Sequence, residues 1–290
     1  MSLAFYYYIQ NTMIFIILGW AVYLVYRYGK LYYMPVANMA ACAYFAAFAM
    51  RELKWPFFIA ALVAILIGAL FSFILSFGLA RASAFTVVIV TIGVLIIFTT
   101  IIRNLSFLGG ETGFTDIPHV KNLFPITLVL LILIGGLIYR IDYSRIGRAI
   151  GVTFVEPEVA VTLGIDLFWL GVSLQVIAGG LGGLAGALYA ATMRSLQIYS
   201  FSFETLLLLI CFVFVGGATT MWGLILLTPI LYGFPIILPS VIADWKYIIY
   251  GILLIGILSF RPQGIIDKEL VRKIKVGFFF LIKNLRKKVS

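Results

Sequence analysis

Charge is scarce in this sequence, and its scarcity excludes a large soluble fold. Only 11% of the 290 residues are Asp, Glu, Lys or Arg, against 63% hydrophobic residues, and the mean hydropathy is +1.15. A water-soluble domain of this size needs polar residues to cover its surface. Charge-free runs instead follow one another along the chain, at residues 31–50, 55–80, 82–102, 122–139, 167–193 and 205–243.

Several chemical motifs are absent as well. The two cysteines, Cys42 and Cys211, lie inside apolar runs without CxxC spacing, which indicates small core residues rather than a metal or redox site. The single histidine, His119, has no second imidazole with which to share a metal ion, so we expect a surface position. No G-x-x-x-x-G-K-[ST] phosphate loop occurs. We therefore expect no enzyme, no metal site and no cofactor on this chain.

The apolar runs predict an all-α, polytopic membrane helix bundle. A helix needs about 20 apolar residues to cross a hydrocarbon core of ~30 Å, and backbone groups in lipid must be paired within the helix. The run 205–243 is too long for one crossing, and glycines at 216, 217 and 223 supply a break. About nine transmembrane helices fit best, at residues 11–27, 31–50, 56–79, 84–102, 123–139, 167–190, 204–221, 223–242 and 245–260.

Positive charge collects at the C-terminal end. Residues 261–290 contain nine Lys or Arg and two acids, Asp267 and Glu269, which gives a net charge of +7. By the positive-inside rule this tail is cytoplasmic, which places the 140–166 loop inside and the 103–122 loop outside. We divide the chain into a transmembrane domain, 1–260, and a basic amphipathic tail, 261–290, that lies on membrane lipid; a disordered tail is the alternative. Nucleic-acid binding is not expected, because no folded basic domain presents this charge.

The longest polar interruption, residues 140–166, has the features of a docking segment. Pro157 is a favourable first residue of a helix, and the neighbouring Glu156 and Glu158 suit a helix N-terminus. Ala160 and Gly164 would share one face of that short helix, where small side chains permit close approach. These residues predict a helix that docks a cytoplasmic partner; the alternative is a surface loop that merely joins two spans.

Glycine is concentrated in residues 178–190, AGGLGGLAGALYA. The pairs Gly179/Gly183 and Gly182/Gly186 have the small-xxx-small spacing that lets helix backbones approach closely in lipid. Gln175 lies within a turn of this face and is a rare polar residue at membrane depth. It either bonds a neighbouring helix or lines a polar path.

Short motifs stand in a particular order along the chain. They are Thr91 and Gly93; Asn104, GG at 109–110 and TG at 112–113; SRIGRA at 144–149 with Pro157, Ala160 and LGI at 163–165; FSF at 201–203; VGG at 215–217; WG at 222–223; and FRPQG at 260–264. Their order and spacing resemble the branched-chain amino-acid permeases, the membrane subunits of bacterial and archaeal ABC importers. The sequence departs from that family at PVANMAA, residues 35–41, and at GVTFV, residues 151–155.

The resemblance implies that the 140–166 loop couples the chain to an ATPase. In the family this loop carries a short helix seated in a groove of the ATPase subunit. The coupling residues would be Arg148, Glu156, Pro157, Glu158, Ala160 and Gly164. We also assign Thr91, Gly93 and Gln175 to a possible translocation path.

The function implied by the resemblance is that of a permease subunit in the cell membrane. It would translocate branched-chain or related amino acids delivered by an extracytoplasmic solute-binding protein. A second permease subunit, identical or different, would complete the path, and ATP and Mg²⁺ would bind to separate ATPase subunits. The alternatives are a urea or short-amide permease of the same family, a secondary carrier with inverted repeats, and a membrane-embedded scaffold.

Overall fold

The computed structural model describes residues 3–217, 220–237 and 246–260, which form helices joined by short connections. The predicted all-α membrane bundle is confirmed. The predicted tail, 261–290, lies outside the described residues. In chain order the helices are α1 (Leu3–Tyr26), α2 (Met34–Arg51), α3 (Phe57–Leu79), α4 (Ala84–Asn104), α5 (Leu123–Tyr143), α6 (Arg145–Val155), α7 (Pro157–Thr162), α8 (Leu167–Met193), α9 (Phe203–Gly217), α10 (Met221–Ile237) and α11 (Lys246–Phe260).

Five described helices are long and apolar enough to cross a bilayer: α1, α3, α4, α5 and α8. Helices α9, α10 and α11 contain shorter apolar stretches. Every predicted span coincides with a helix where the chain is described. The count of nine crossings is not confirmed, since five of the described helices meet the length and composition of a crossing.

The first helix begins earlier than the predicted residue 11. It starts at Leu3, and tertiary contacts hold its first turns. The Tyr8 hydroxyl donates to the Pro229 carbonyl at 2.6 Å, and Gln10 Nε2 donates to Thr127 Oγ1 at 2.6 Å. Residues before the predicted start of the span are therefore part of the bundle.

Helix α8 lies at the centre of the bundle and packs against α1, α2 and α3. Its first turn is capped by Asp166, whose Oδ1 accepts from the backbone N–H groups of Phe168 and Trp169 at 2.9 and 3.2 Å. Such a cap satisfies amides that a helix start leaves without partners.

The connections define two ends of the bundle. At one end, called the α6–α7 end, lie the last turns of α1, α3 and α5 and the first turn of α8. At the opposite end, the α4–α5 connection is tied to the α8–α9 connection by the backbone pairing of Phe114 with Leu196, at 2.9 and 2.8 Å. Gly113, at φ +85°, makes this approach possible, because a Cβ there would overlap the Leu196 carbonyl.

The predicted 140–166 loop is mostly helical. Helix α5 continues to Tyr143, and residues 145–155 form α6, which the sequence analysis did not predict. The short helix expected at Pro157 is present as α7 and begins at that proline.

Candidate functional site

Helix α6 is held close to the end of α5. The Ser144 side chain accepts from the backbone N–H groups of Ile146 and Gly147 at 3.1 and 3.3 Å, which starts the helix immediately after α5 ends. Gly147 lies so near the α5 carbonyls of Ile141 and Asp142 that a Cβ would overlap both. The start of α6 is thus anchored, while Arg148 is exposed on it.

Helix α7 does not present the expected small-residue face. Ala160 is fully buried, whereas Gly164 lies beyond the helix end, at φ +77°, with open space where a Cβ would point. The two residues therefore share no exposed face, because the helix stops at Thr162 and the chain turns away. Glu156, Pro157 and Glu158 are exposed at its start.

The α6–α7 pair instead exposes aliphatic side chains. Val155 is 74% exposed, and Val161 and Leu163 are exposed by 57% and 65%. Arg148, Glu156 and Glu158 are exposed on the same segment. These six residues, which lie outside the long apolar helices, are called the α6–α7 patch. Apolar groups exposed beside charged ones are typical of a protein contact. The sequence analysis missed this patch, whose signal was the valine and leucine content of 155–163.

Two glycines of α8 lie against α3. A Cβ at Gly179 would overlap the Ser72 hydroxyl, and a Cβ at Gly183 would overlap the Ala64 carbonyl. Gly68, one turn from each of these α3 residues, is equally close to the backbone of α8. Side chains at positions 179 and 183 would hold these two helices further apart.

The other two glycines of the predicted face lie against α2. A Cβ at Gly182 would overlap the backbone of Pro35, and a Cβ at Gly186 would overlap the carbonyl of Met39 and come within 2.8 Å of the Ala43 amide nitrogen. One glycine-rich helix thus contacts two neighbours, with alternate glycine pairs directed at each.

A buried polar cluster lies where α2, α3 and α8 meet. Asn38 Nδ2 donates to Gly68 O and Ser72 Oγ at 2.9 Å each and to Gly179 O at 3.3 Å. Asn38 Oδ1 and Gln175 Oε1 are buried without a hydrogen-bond partner among the described residues. Sequence analysis gave Asn38 no role, although it is the one amide or charged side chain in the run 31–50.

The residues assigned to a translocation path do not share one surface. Thr91 is fully buried, and its hydroxyl accepts from the Tyr33 backbone N–H at 3.3 Å, at the start of α2. Gly93 is two positions further along α4, about 200° around the helix, and open space surrounds its Cβ position. Thr91 therefore has a structural contact, and a role of Thr91, Gly93 and Gln175 in transport stays a prediction.

A cavity of about 500 Å³ opens at the opposite end of the bundle. It is lined by the first turns of α1, the start of α5 and the end of α8, and it includes His119, Asn122 and Arg194. His119 is exposed, as expected for a surface residue. Within the described ranges, no group of three His, Cys, Asp or Glu side chains could hold a metal ion.

Comparison with known families identifies the chain. The sequence model of the family described as "Branched-chain amino acid transport system / permease component" matches residues 5–258. The chain belongs to this permease family. The resemblance inferred from the order of short motifs is confirmed, and the protein is a multi-pass membrane permease.

A curated relative supports the same family. The high-affinity branched-chain amino acid transport system permease protein LivM of Salmonella typhimurium is 24% identical over an alignment of 294 positions, which covers 88% of this chain and 68% of the relative. No solved structure matches the chain. The main features of this permease at the residues described above are the α6–α7 patch, the glycine contacts of α8 and the polar cluster at Asn38.

Proposed function

We propose that the chain is the membrane-spanning subunit of an ABC importer for branched-chain or related amino acids. A solute-binding protein delivers the amino acid outside, this permease and a second permease subunit form the path, and separate ATPase subunits drive transport. The observation that carries the proposal is the family match over residues 5–258. The relative LivM, a permease protein of a branched-chain amino acid transport system, suggests the solute class.

The α6–α7 end is the surface proposed to receive the ATPase. It exposes an apolar patch beside Arg148, Glu156 and Glu158, which suits a protein partner better than lipid. This assignment makes the α6–α7 end cytoplasmic, in agreement with a cytoplasmic C-terminal tail. The 103–122 connection then faces the solute-binding protein.

Reconstitution tests the proposal. The permease is co-expressed with the ATPase, second permease and binding protein encoded with it, and the purified complex is placed in proteoliposomes. We expect ATP-dependent uptake of radiolabelled leucine that requires the binding protein, with urea transported far more slowly. Uptake that follows a proton gradient without ATP, or an ATPase that never co-purifies with the permease, would contradict the proposal.

A substitution just after α7 tests the docking surface. Gly164→Trp is expected to abolish ATPase co-purification and uptake while the permease still inserts, because the added ring projects into open space outside the bundle. Gly164→Ala is the matched control. It imposes the same strain at φ +77° without the bulk, so uptake close to that of the unmodified permease is expected. Normal uptake by the Trp variant would place the ATPase elsewhere.

A further inference from the structure

The last turn of α1 and its connection to α2, residues 23–30, contact α3, α5, α6 and α8 near the α6–α7 end. This segment is called the α1–α2 corner. Its central residue is Arg27, which is 9% exposed and is the one buried Lys or Arg in the described part of the chain. A buried guanidinium needs a partner, since desolvation of an unpaired charge is costly.

The partner of Arg27 is Asp142, in the last turn of α5. Arg27 Nη1 forms an ion pair with Asp142 Oδ1, and the Tyr23 hydroxyl donates to Asp142 Oδ2 at 2.9 Å. Both carboxylate oxygens are thus bound by α1. Because Asp142 is two residues before Ser144, which starts α6, this pair joins α1 to the point where the α6–α7 segment leaves the bundle.

The corner also contacts the far part of that segment. The ring of Tyr26 packs on that of Phe154, near the end of α6, with centroids 5.9 Å apart. The Tyr28 hydroxyl donates at 2.7 Å to the carbonyl of Leu167, the first residue of α8. The segment between α5 and α8 is therefore held by the corner at both of its ends.

The corner reaches the rest of the bundle through α3. Lys30 Nζ donates to the Ala80 carbonyl at 2.9 Å and to the Leu79 carbonyl at 3.4 Å. These carbonyls are at the C-terminal end of α3, where a helix lacks internal donors and its dipole favours a cation. Partial burial lowers the pKa of the Lys30 ammonium from its ordinary value. Helix α3 in turn packs on the glycines of α8.

We propose that the α1–α2 corner transmits displacement of the α6–α7 segment to the helix bundle, with the Arg27–Asp142 ion pair as its rigid joint. The inference rests on the proposed function, in which an ATPase binds the α6–α7 patch. Arg27 and Asp142 are positioning residues that contact neither solute nor nucleotide. A buried ion pair adds little net stability, because desolvation offsets the attraction, but it restricts the geometry of what it joins.

The test is the number of ATP molecules hydrolysed per amino acid transported. The complete importer carrying Asp142→Asn, which keeps the shape and removes the charge, is reconstituted in proteoliposomes. Arg27→Met is measured beside it. We expect the ATPase to co-purify normally, hydrolysis to continue and uptake to fall, so that the ratio rises about tenfold, within the range that energetic coupling between two sites spans. Arg81→Met, at an exposed arginine in the neighbouring α3–α4 connection, is expected to leave the ratio unchanged.

A rescue experiment separates a joint from a general structural contact. Tyr26→Cys and Phe154→Cys are added to the Asp142→Asn variant and linked with a short thiol-specific reagent. If the corner and α6 move as one body, the covalent link restores the ratio. A ratio that stays high after linkage overturns the inference.

Two further outcomes also overturn the inference that the Arg27–Asp142 ion pair is a rigid joint. In one, Asp142→Asn and Arg27→Met retain the original ratio. In the other, uptake and hydrolysis fall together with the yield of assembled complex, which indicates a purely structural contact. Neither result contradicts the proposed function, which fails only if the unmodified permease binds no ATPase or transports without ATP.

Discussion

The central helices of this permease are less apolar than the peripheral ones, whereas in a soluble protein the central helices are the more apolar. In an 18-residue window of α1, 89% of residues are buried and the mean hydropathy is 1.6; in α4, 22% are buried and the mean hydropathy is 2.8. Helix α8, with 61% of its window buried, has the lower value of 1.6 as well. The most apolar helices are thus the most exposed.

The solvent explains this inversion. Lipid tails are as apolar as leucine, so a side chain gains little by leaving lipid for the protein interior. Close backbone contact and hydrogen bonds between helices then decide which helices occupy the centre. The centre has both, in the α8 glycines and in the Asn38 amide, whereas the outer faces of α3, α4 and α5 carry large aliphatic side chains.

The largest expected effect comes from filling the closest contact at the centre. Gly183→Leu places a side chain against the Ala64 carbonyl, which belongs to the α3 backbone and cannot rotate away. Overpacking of this kind costs about 3 kcal/mol, and we expect the thermal midpoint in detergent to fall by roughly 5 °C or more. The yield of assembled complex should fall with it.

The matched control is the same change at the periphery. Gly136→Leu in α5 adds a side chain where no atom lies within 4 Å of the Cβ position, so an unchanged midpoint is expected. If both variants lose stability equally, the distinction between a tightly packed centre and a lipid-facing periphery is wrong.

A smaller loss of thermal stability is expected when the Asn38 amide, the donor of the central polar cluster, is removed. Asn38→Leu keeps the approximate size and removes the three hydrogen bonds made by Nδ2. We expect a cost of about 1–2 kcal/mol, measured as a shift of the thermal midpoint in detergent. A midpoint equal to that of the unmodified permease would mean that burial of the unpartnered Oδ1 offsets these bonds.

The smallest expected effect is a difference in stability between variants of two threonines of α4. Thr91→Val and Thr99→Val each remove a hydroxyl that bonds to its own helix, but Thr91 also accepts from the Tyr33 amide of the α2 start. We expect Thr91→Val to be less stable than Thr99→Val by about 1 kcal/mol, because a buried amide loses its partner. Faster hydrogen exchange at the Tyr33 amide in the Thr91 variant alone would show that the lost stability comes from this amide. Equal exchange in both variants would contradict that explanation.

Sequence reasoning was accurate for long apolar segments and weaker between them. It located the helices that became α3, α4, α5 and α8 and the start of α7 at Pro157. It did not predict α6, since Gly147 and Gly151 weaken a helical pattern. Close contact of Gly147 with the end of α5 supplies what the local pattern lacks. It also took Ala160 for an exposed residue, although helix spacing alone does not tell which side of a helix faces the protein.

The sequence by itself determined that the chain is a helical membrane protein and where close helix contact is possible. Hydrocarbon thickness fixes the length of a crossing, and small residues, above all glycine, let two backbones approach, so both are readable from local composition. Only the tertiary structure decided that Gly179 and Gly183 contact α3 while Gly182 and Gly186 contact α2, and that Arg27 pairs with Asp142. These contacts join residues far apart in the chain, and their partners depend on how all the helices pack together rather than on any local pattern.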